Sequence, residues 1–350
     1  MFVGIRQHVP RAVFRSMVPV LIAISLSLLL TRLDIDYKTL SQRCFSSSAG
    51  PNNSNSWSSS SSSSSSSSAS EAFNYQVAIA YQPKDRNEPI YAKLKESLSS
   101  PTGEDNYFIS HRRNSDLYAG VADGIGGWAN HGYDSTAISR ELCTAMKEIS
   151  ENTNKDIHPN ELLNLAFTAI VEEKRVEVGG TTAIVAHLKP DGVLNVSNLG
   201  DSWCGVFRDC KLAFETKFQT VGFNAPYQLA VIPQHILDAA SKKSGSFIMN
   251  KPSDSDNYTF QLLKGDVVLL ATDGVTDNIA VEDMELFLKD KYESPQSLQD
   301  VTQEFVDKVV TLSKDPTFPS VFSQEYSKLA GQFYSGGKED DITVVVIKVE

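Results

Sequence analysis

The stretch Val267-Val-Leu-Leu-Ala-Thr-Asp-Gly-Val-Thr-Asp-Asn278 joins an unbroken apolar run to an aspartate in a glycine turn. Five consecutive Val, Leu and Ala residues bounded by a turn signal read as a short strand buried on both faces. The strand ends at Ala271 and delivers Asp273 into the turn. Two other stretches repeat the device: Leu117–Ala122 leads into Asp123-Gly-Ile-Gly-Gly-Trp128, and Val193–Leu199 leads into Gly200-Asp201-Ser202. Strand ends fix a side chain while the following loop stays open to solvent, so they suit site residues. Any one Asp-Gly is an ordinary turn. Recurrence is what points to chemistry. Two further acidic groups, Gly103-Glu104-Asp105 and Glu339-Asp340-Asp341, complete the set, the second directly before a closing run Ile342–Val349.

Working outward, Tyr75–Tyr81 reads as an opening strand. Ile138, Leu142, Ala145, Met146 and Ile149 keep helical spacing, as do Leu162, Leu163, Ala166, Phe167 and Ile170. Pro190-Asp191-Gly192 between two β-rich runs predicts a hairpin. A second hairpin is expected over Trp203–Phe207 and Lys211–Thr216, turning at Arg208-Asp209. Helices are expected over Glu282–Tyr292, Ser297–Leu312 and, more weakly, Ser320–Leu329. Strands at both ends with helices between predict packed sheets covered by helices.

The 350 residues carry 43 acids against 32 bases, a net charge of −11. Residues 1–33 hold Arg6, Arg11, Arg15 and Arg32 and no acid, which leaves −15 on the remainder. That balance argues against a nucleic-acid partner, which needs a basic face, and suits metal cations. The acid-free, arginine-spaced start fits a mitochondrial presequence. The apolar run Val18–Leu30 is 13 residues long, short of the ~20 needed to cross a bilayer. A secretory signal and a membrane anchor over 14–31 stand as alternatives. In residues 46–70, 17 of 25 are serine, a composition that buries no apolar surface and reads as a flexible linker. Three regions are therefore expected: a targeting segment at 1–33, a linker at 34–72 and one folded domain at 73–350. Cys44, Cys143, Cys204 and Cys210 match no zinc spacing and read as reduced thiols, with a Cys204–Cys210 pair the lesser alternative.

Aspartates gathered at strand ends repel unless a cation intervenes. None of the six histidines lies in these motifs, and oxygen-only ligation points to Mg²⁺ or Mn²⁺ rather than zinc. A backbone carbonyl, most naturally that of Gly124, would add a ligand. Two bridged ions would activate a water and clamp a phosphoryl group.

Taken in order, Ala122–Gly127, Gly179–Ala183, Asn198–Ser202, Ala271–Asn278 and Asp340–Val344 resemble the motifs of the metal-dependent Ser/Thr protein phosphatases of the PPM type (type 2C). The likeness covers nearly all of 73–350, and the Gly-Gly-Trp128 and Gly-Gly-Lys338 contexts are similar to a mitochondrial branch of that family. The resemblance implies an α+β fold, a four-layer αββα sandwich of two antiparallel sheets flanked by helices. It implies two Mn²⁺ or Mg²⁺ ions, with a third, weaker ion at Asp201, and phosphorylated proteins as substrates. By motif, Asp123 would bridge the ions, Gly124 would lend its carbonyl, and Asp273 and Asp340 would be ligands. Asp341 stands where the family often has asparagine and is not assigned. Glu104, supported by Asp105, would orient water. Asp277 and Asn278 read as loop-capping residues, with a peripheral role in the site as the alternative.

Two departures stand out. Ile125 occupies a position where many members carry a histidine, and it cannot donate a proton. The family's phosphate-binding arginine has no match beside Glu104: Arg86 lies far upstream, and Arg112 and Arg113 read as a solvated loop, with bidentate phosphate binding as the alternative. The rival function is a catalytically weak binding module on the same fold. Lost metal ligands would mark it, yet Asp123, Asp273 and Asp340 are all present.

Overall fold

Strands apolar on both faces need cover from both sides, and the alternation of their side chains shows how it is supplied. The computed structural model describes residues 72–350 apart from 88, 92–93, 95–98, 113–115 and 292–293. The targeting and linker segments, Cys44 and Arg113 lie outside the described residues.

In chain order the elements are β1 (Tyr75–Gln82), β2 (Asp105–His111), β3 (Leu117–Asp123), a 3₁₀ turn (Gly126–His131), α1 (Ala137–Asn152), α2 (Pro159–Glu172), β4 (Gly179–Thr181), β5 (Ala183–Leu188), β6 (Val193–Leu199), β7 (Trp203–Arg208), β8 (Lys211–Glu215), β9 (Thr220–Gly222), β10 (Ala225–Pro226), β11 (Leu229–Val231), α3 (Gln234–Ser241), β12 (Asp256–Gln261), β13 (Val267–Ala271), the one-turn α4 (Asp273–Thr276), α5 (Val281–Lys291), α6 (Leu298–Lys314), α7 (Val321–Ala330) and β14 (Ile342–Val349). One antiparallel sheet has the order β1-β14-β13-β7-β8 and the other β12-β6-β5-β3-β2.

Period-two alternation divides each strand between two cores. Leu117, Ala119 and Val121 of β3 meet Val268, Leu270, Val345 and Ile347 of the opposite sheet. Tyr118 and Ala122 point the other way, onto Ile138, Leu142, Leu162 and Leu163 of α1 and α2. Val344 and Val346 of β14 turn outward onto Met284, Phe305, Val306 and Val309 of α5 and α6. The result is the expected αββα sandwich. Ser297 caps α6 by accepting from Asp300 N, and Ser320 caps α7 by accepting from Ser323 N, each satisfying a donor the helix leaves open.

One expectation needs correction. The second hairpin turns at Asp209-Cys210, not Arg208-Asp209, with φ of 51° and 59°. Two successive positive φ values make the turn whose twist matches a right-handed strand pair. Residues 217–255, which carried no prediction, hold β9, β10, β11 and α3. Strands of two or three residues are too short to show a period. Cys143, Cys204 and Cys210 are all free thiols, so no bridge joins the last two. Among the described residues, no helix is long and apolar enough to cross a membrane.

Candidate active site

Register decides what meets at one end of the sandwich. Asp105 opens β2 directly opposite Asp123, which closes β3. Asp273 follows β13, Asp201 follows β6, and Asp340 and Asp341 precede β14. The first strand pairs with the last, Gln82 opposite Ile342, so the residues after β1 must face those before β14. This places Lys84 and Arg86 inside the acidic cluster.

Arg86 Nη2 reaches both oxygens of Asp341 at 3.0 Å and Glu104 Oε2 at 3.2 Å. Lys84 Nζ lies 2.7 Å from Asp340 and 3.2 Å from Glu104. Arg86 was set aside as too distant in sequence. The separation along the chain is irrelevant once β1 and β14 are paired. Arg112, by contrast, ion-pairs with Asp116 at 3.5 Å, near Tyr118. Glu104 also accepts from Ser135 Oγ at 2.9 Å and Tyr91 O–H at 3.2 Å, and its backbone N donates to Asp341 at 2.9 Å. Burial alone would raise the Glu104 carboxyl. A side-chain hydrogen bond shared with the Asp341 carboxyl, distinct from the backbone one, and the charges of Lys84 and Arg86 outweigh it and pull the group down. Asp341 is pushed up by burial and by that same hydrogen bond. The unassigned Asp341 is thus the hub that fastens Arg86, Lys84 and Glu104 together.

Two glycines make this packing possible. A Cβ on Gly103, at φ +78°, would stand 2.0 Å from Asp341 Oδ1. One on Gly124 would stand 2.6 Å from the Glu104 carbonyl oxygen and 2.7 Å from that of Ser135.

On the other flank, Lys338 Nζ bonds Asp273 Oδ2 at 2.7 Å, Asp277 Oδ2, and Asn224 Oδ1 at 3.1 Å. Asn278 caps the loop as expected, taking Lys338 N at 2.9 Å and giving to Lys338 O at 2.8 Å. Asp277 is more than a loop cap, because its carboxylate holds the Lys338 ammonium. The position of Lys338 between aspartates follows only from the fold.

The cluster is acidic beyond what these cations offset. Among the described residues, Glu104, Asp105, Asp123, Asp201, Asp273, Asp277, Asp340 and Asp341 face Lys84, Arg86 and Lys338, a formal excess of five negative charges. Burial, then Asp341, drives the Asp105 carboxyl up. Burial, then Asp273, Asp105, Asp340 and Asp201, does the same to Asp123. Burial and Asp273 push Asp201 up to about 8. Asp105 accepts from Thr272 Oγ1 at 2.7 Å through Oδ2, while Asp105 Oδ1 and Asp201 Oδ1 are buried without a partner. Unpartnered buried carboxylate oxygens are costly. An all-oxygen set of this kind fits a hard divalent cation. Among the described residues, however, no three His, Cys, Asp or Glu side chains are already arranged around an ion position; lysine ammoniums stand between them.

The chain is 60% identical to the mitochondrial protein phosphatase 2C homolog 7 of Saccharomyces cerevisiae over 285 residues, covering 79% of this chain and 83% of that relative. The chain belongs to the protein phosphatase 2C family. It is a serine/threonine phosphatase, and it is mitochondrial. The family model for Stage II sporulation protein E (SpoIIE) matches residues 113–350. A PTC7 homolog named fig, from Drosophila ananassae, is 34% identical over 261 residues, 73% of this chain and 76% of its own length. Among solved structures, the photosystem II phosphatase PBCP superposes with a TM-score of 0.62 at 27% identity, covering 79% of this chain and 99% of its own.

Proposed function

We propose that the chain removes phosphate from phosphoserine and phosphothreonine in proteins by direct attack of water, using two Mn²⁺ or Mg²⁺ ions. Asp123, the Gly124 carbonyl, Asp273 and Asp340 would hold the ions, with Asp201 available to a third. The observation that carries this reading is the charge excess at one end of the sandwich, with Asp105 Oδ1 and Asp201 Oδ1 buried and unpartnered. Two divalent ions would offset four of the five excess charges. The PstP catalytic domain, a solved structure of similar fold at 17% identity and TM-score 0.50, is in complex with two manganese ions. When bound, such ions polarise phosphoryl oxygens and bring the pKa of a water from about 16 toward 7.

The side chains supply placement and exclusion. Asp105 keeps one oxygen toward Thr272 and the other free for the cluster. Arg86 holds the acidic pair Glu104 and Asp341 together through Nη2. Cys143 and Cys204 are buried, and burial pushes both thiols up, which rules them out as nucleophiles. Ile125 cannot protonate a leaving group. General acid catalysis is worth about 10²–10⁴-fold, so an aryl phosphate, whose leaving group needs no proton, should turn over faster than a phosphoserine peptide. In this reading residues 1–33 are a mitochondrial address, 34–72 a spacer, and 73–350 the catalytic domain.

The test is hydrolysis of a phosphoserine peptide by the full chain, with Mn²⁺ or Mg²⁺ and then with EDTA. Turnover should require the ion. Turnover that survives exhaustive chelation rejects the two-ion reading.

A further inference from the structure

Every N–H of the Lys338 ammonium has an acceptor, and two of the three acceptors are carboxylates in the proposed metal cluster. Nζ gives to Asp273, Asp277 and Asn224, and stands 3.4 Å from Asp340 Oδ2. The contacts are one-sided. Lys338 touches none of Asp123, Asp105 or Gly124, and Asp105 Oδ1 there is buried with no partner. Lys338 thus occupies the Asp273 side of the cluster, Lys84 and Arg86 hold the Asp340–Glu104 side, and no described lysine or arginine pairs with Asp123.

We propose that Lys338 is an internal competitor for one of the two divalent ions. This rests on the two-ion reading above. A divalent ion needing Asp273 and Asp340 would have to displace the ammonium from the same oxygens. An ion held by Asp123 and the Gly124 carbonyl would not. The two ions therefore bind unequally, and Lys338 sets the weaker affinity. The displacement costs little in the backbone. Asn278 pins Lys338 from both sides, through its N–H and its carbonyl, so only the flexible side chain needs to move. Asn224 Oδ1 and the face of Phe322, with Nζ 5.3 Å from its ring centre, remain as contacts for the withdrawn ammonium. Without metal the same ammonium offsets part of the carboxylate repulsion. Lys84 holds Asp340 at 2.7 Å and would have to yield there as well, but its second partner is Glu104 and it makes no ion pair with Asp273, which Lys338 alone of the described lysines bonds.

Mn²⁺ titration calorimetry on the metal-free full chain tests this, comparing wild type, Lys338→Met and Lys338→Arg. Wild type should show two sites. Lys338→Met should tighten the weaker one by about tenfold or more, because a unit charge 3–4 Å away is removed from shared oxygens, and leave the tighter one within about threefold. Lys338→Arg keeps the charge and should restore the wild-type gap. If Lys338→Met does not fold without metal, Mn²⁺-dependent melting gives the same comparison: its melting temperature should climb at lower Mn²⁺ than wild type. A weaker site that is unchanged or loosened in Lys338→Met overturns the competitor role while leaving the two-ion reading intact. Absence of Mn²⁺ uptake by wild type overturns both.

Discussion

Replacing Arg86 by alanine removes the one guanidinium that faces both Glu104 and Asp341. The Arg86 side chain is 5% exposed, and the two carboxylates it pairs with are each 1% exposed. At 3.0 Å and an effective dielectric of about 20, each such pair attracts by about 5 kcal/mol before desolvation is subtracted. Removing one partner of a buried pair costs about 3–5 kcal/mol, because the other charge is left without compensation. Lys84 remains 3.2 Å from Glu104 and 3.8 Å from Asp341, and Asp341 is already inclined to hold a proton. Both relieve the loss, so the lower end, about 3 kcal/mol, is expected. In a domain of this size that lowers the melting temperature by roughly 6–12 °C. Urea unfolding of the metal-free protein measures it. Asp341→Asn in the Arg86→Ala background should recover part of the loss, with a coupling of about 1–3 kcal/mol. A cost below about 1 kcal/mol, or strictly additive effects, would refute the hub role given to Asp341.

Asp273→Asn should lower phosphopeptide turnover by about 10²-fold or more while the domain still melts cooperatively; near-normal rates would remove Asp273 from the ligand set. Metal-free stability should fall as pH rises from about 4 to 8. Asp201, Asp277 and Asp341 have folded pKa values raised to about 8, 7 and 7, so the folded chain binds more protons than the unfolded one across that window, and deprotonation penalises the fold. Saturating Mn²⁺ should flatten the slope, and a metal-free melting temperature that rises over the same window would contradict the charge excess. Leu270→Ala should cost about 2–5 kcal/mol, since Leu270 is fully buried between the sheets, whereas Leu263→Ala, 48% exposed, should stay within about 0.5 kcal/mol; equal losses in urea unfolding would misplace the core.

What could be read in advance was what is local. The runs Val267–Ala271 and Ile342–Val349 announced buried strands because both their faces are apolar. The helix at Ala137–Asn152 announced itself by the spacing of Ile138, Leu142 and Met146. The same local reading selected Asp123, Asp201, Asp273 and Asp340, which the fold brings to one end of the sandwich. It failed where the cause was non-local or too short to carry a period. Lys84 and Arg86 are about 255 residues from Asp340 and Asp341, and only strand pairing joins them. Asn224 reaches Lys338 from a loop between strands of three and two residues.

The pairing of first strand with last does more than close a sheet. Antiparallel register fixes Gln82 opposite Ile342, and from that point the chain has no freedom to place Lys84 and Arg86 elsewhere than against Asp340, Asp341 and Glu104. The acidic cluster therefore acquires two of its three cations only when β1 docks on β14. Before docking, β2, β3, β13 and the start of β14 would bring like charges together with only Lys338 to offset them. Docking of β1 and formation of the site are then one step, driven by Val77 and Ile79 packing against the inter-sheet core and by the ion pairs at the strand's end. A contact between residues so far apart in sequence must first meet the loop-closure cost. Bases at one end of the domain and acids at the other are thus a folding instruction as well as a feature of the site.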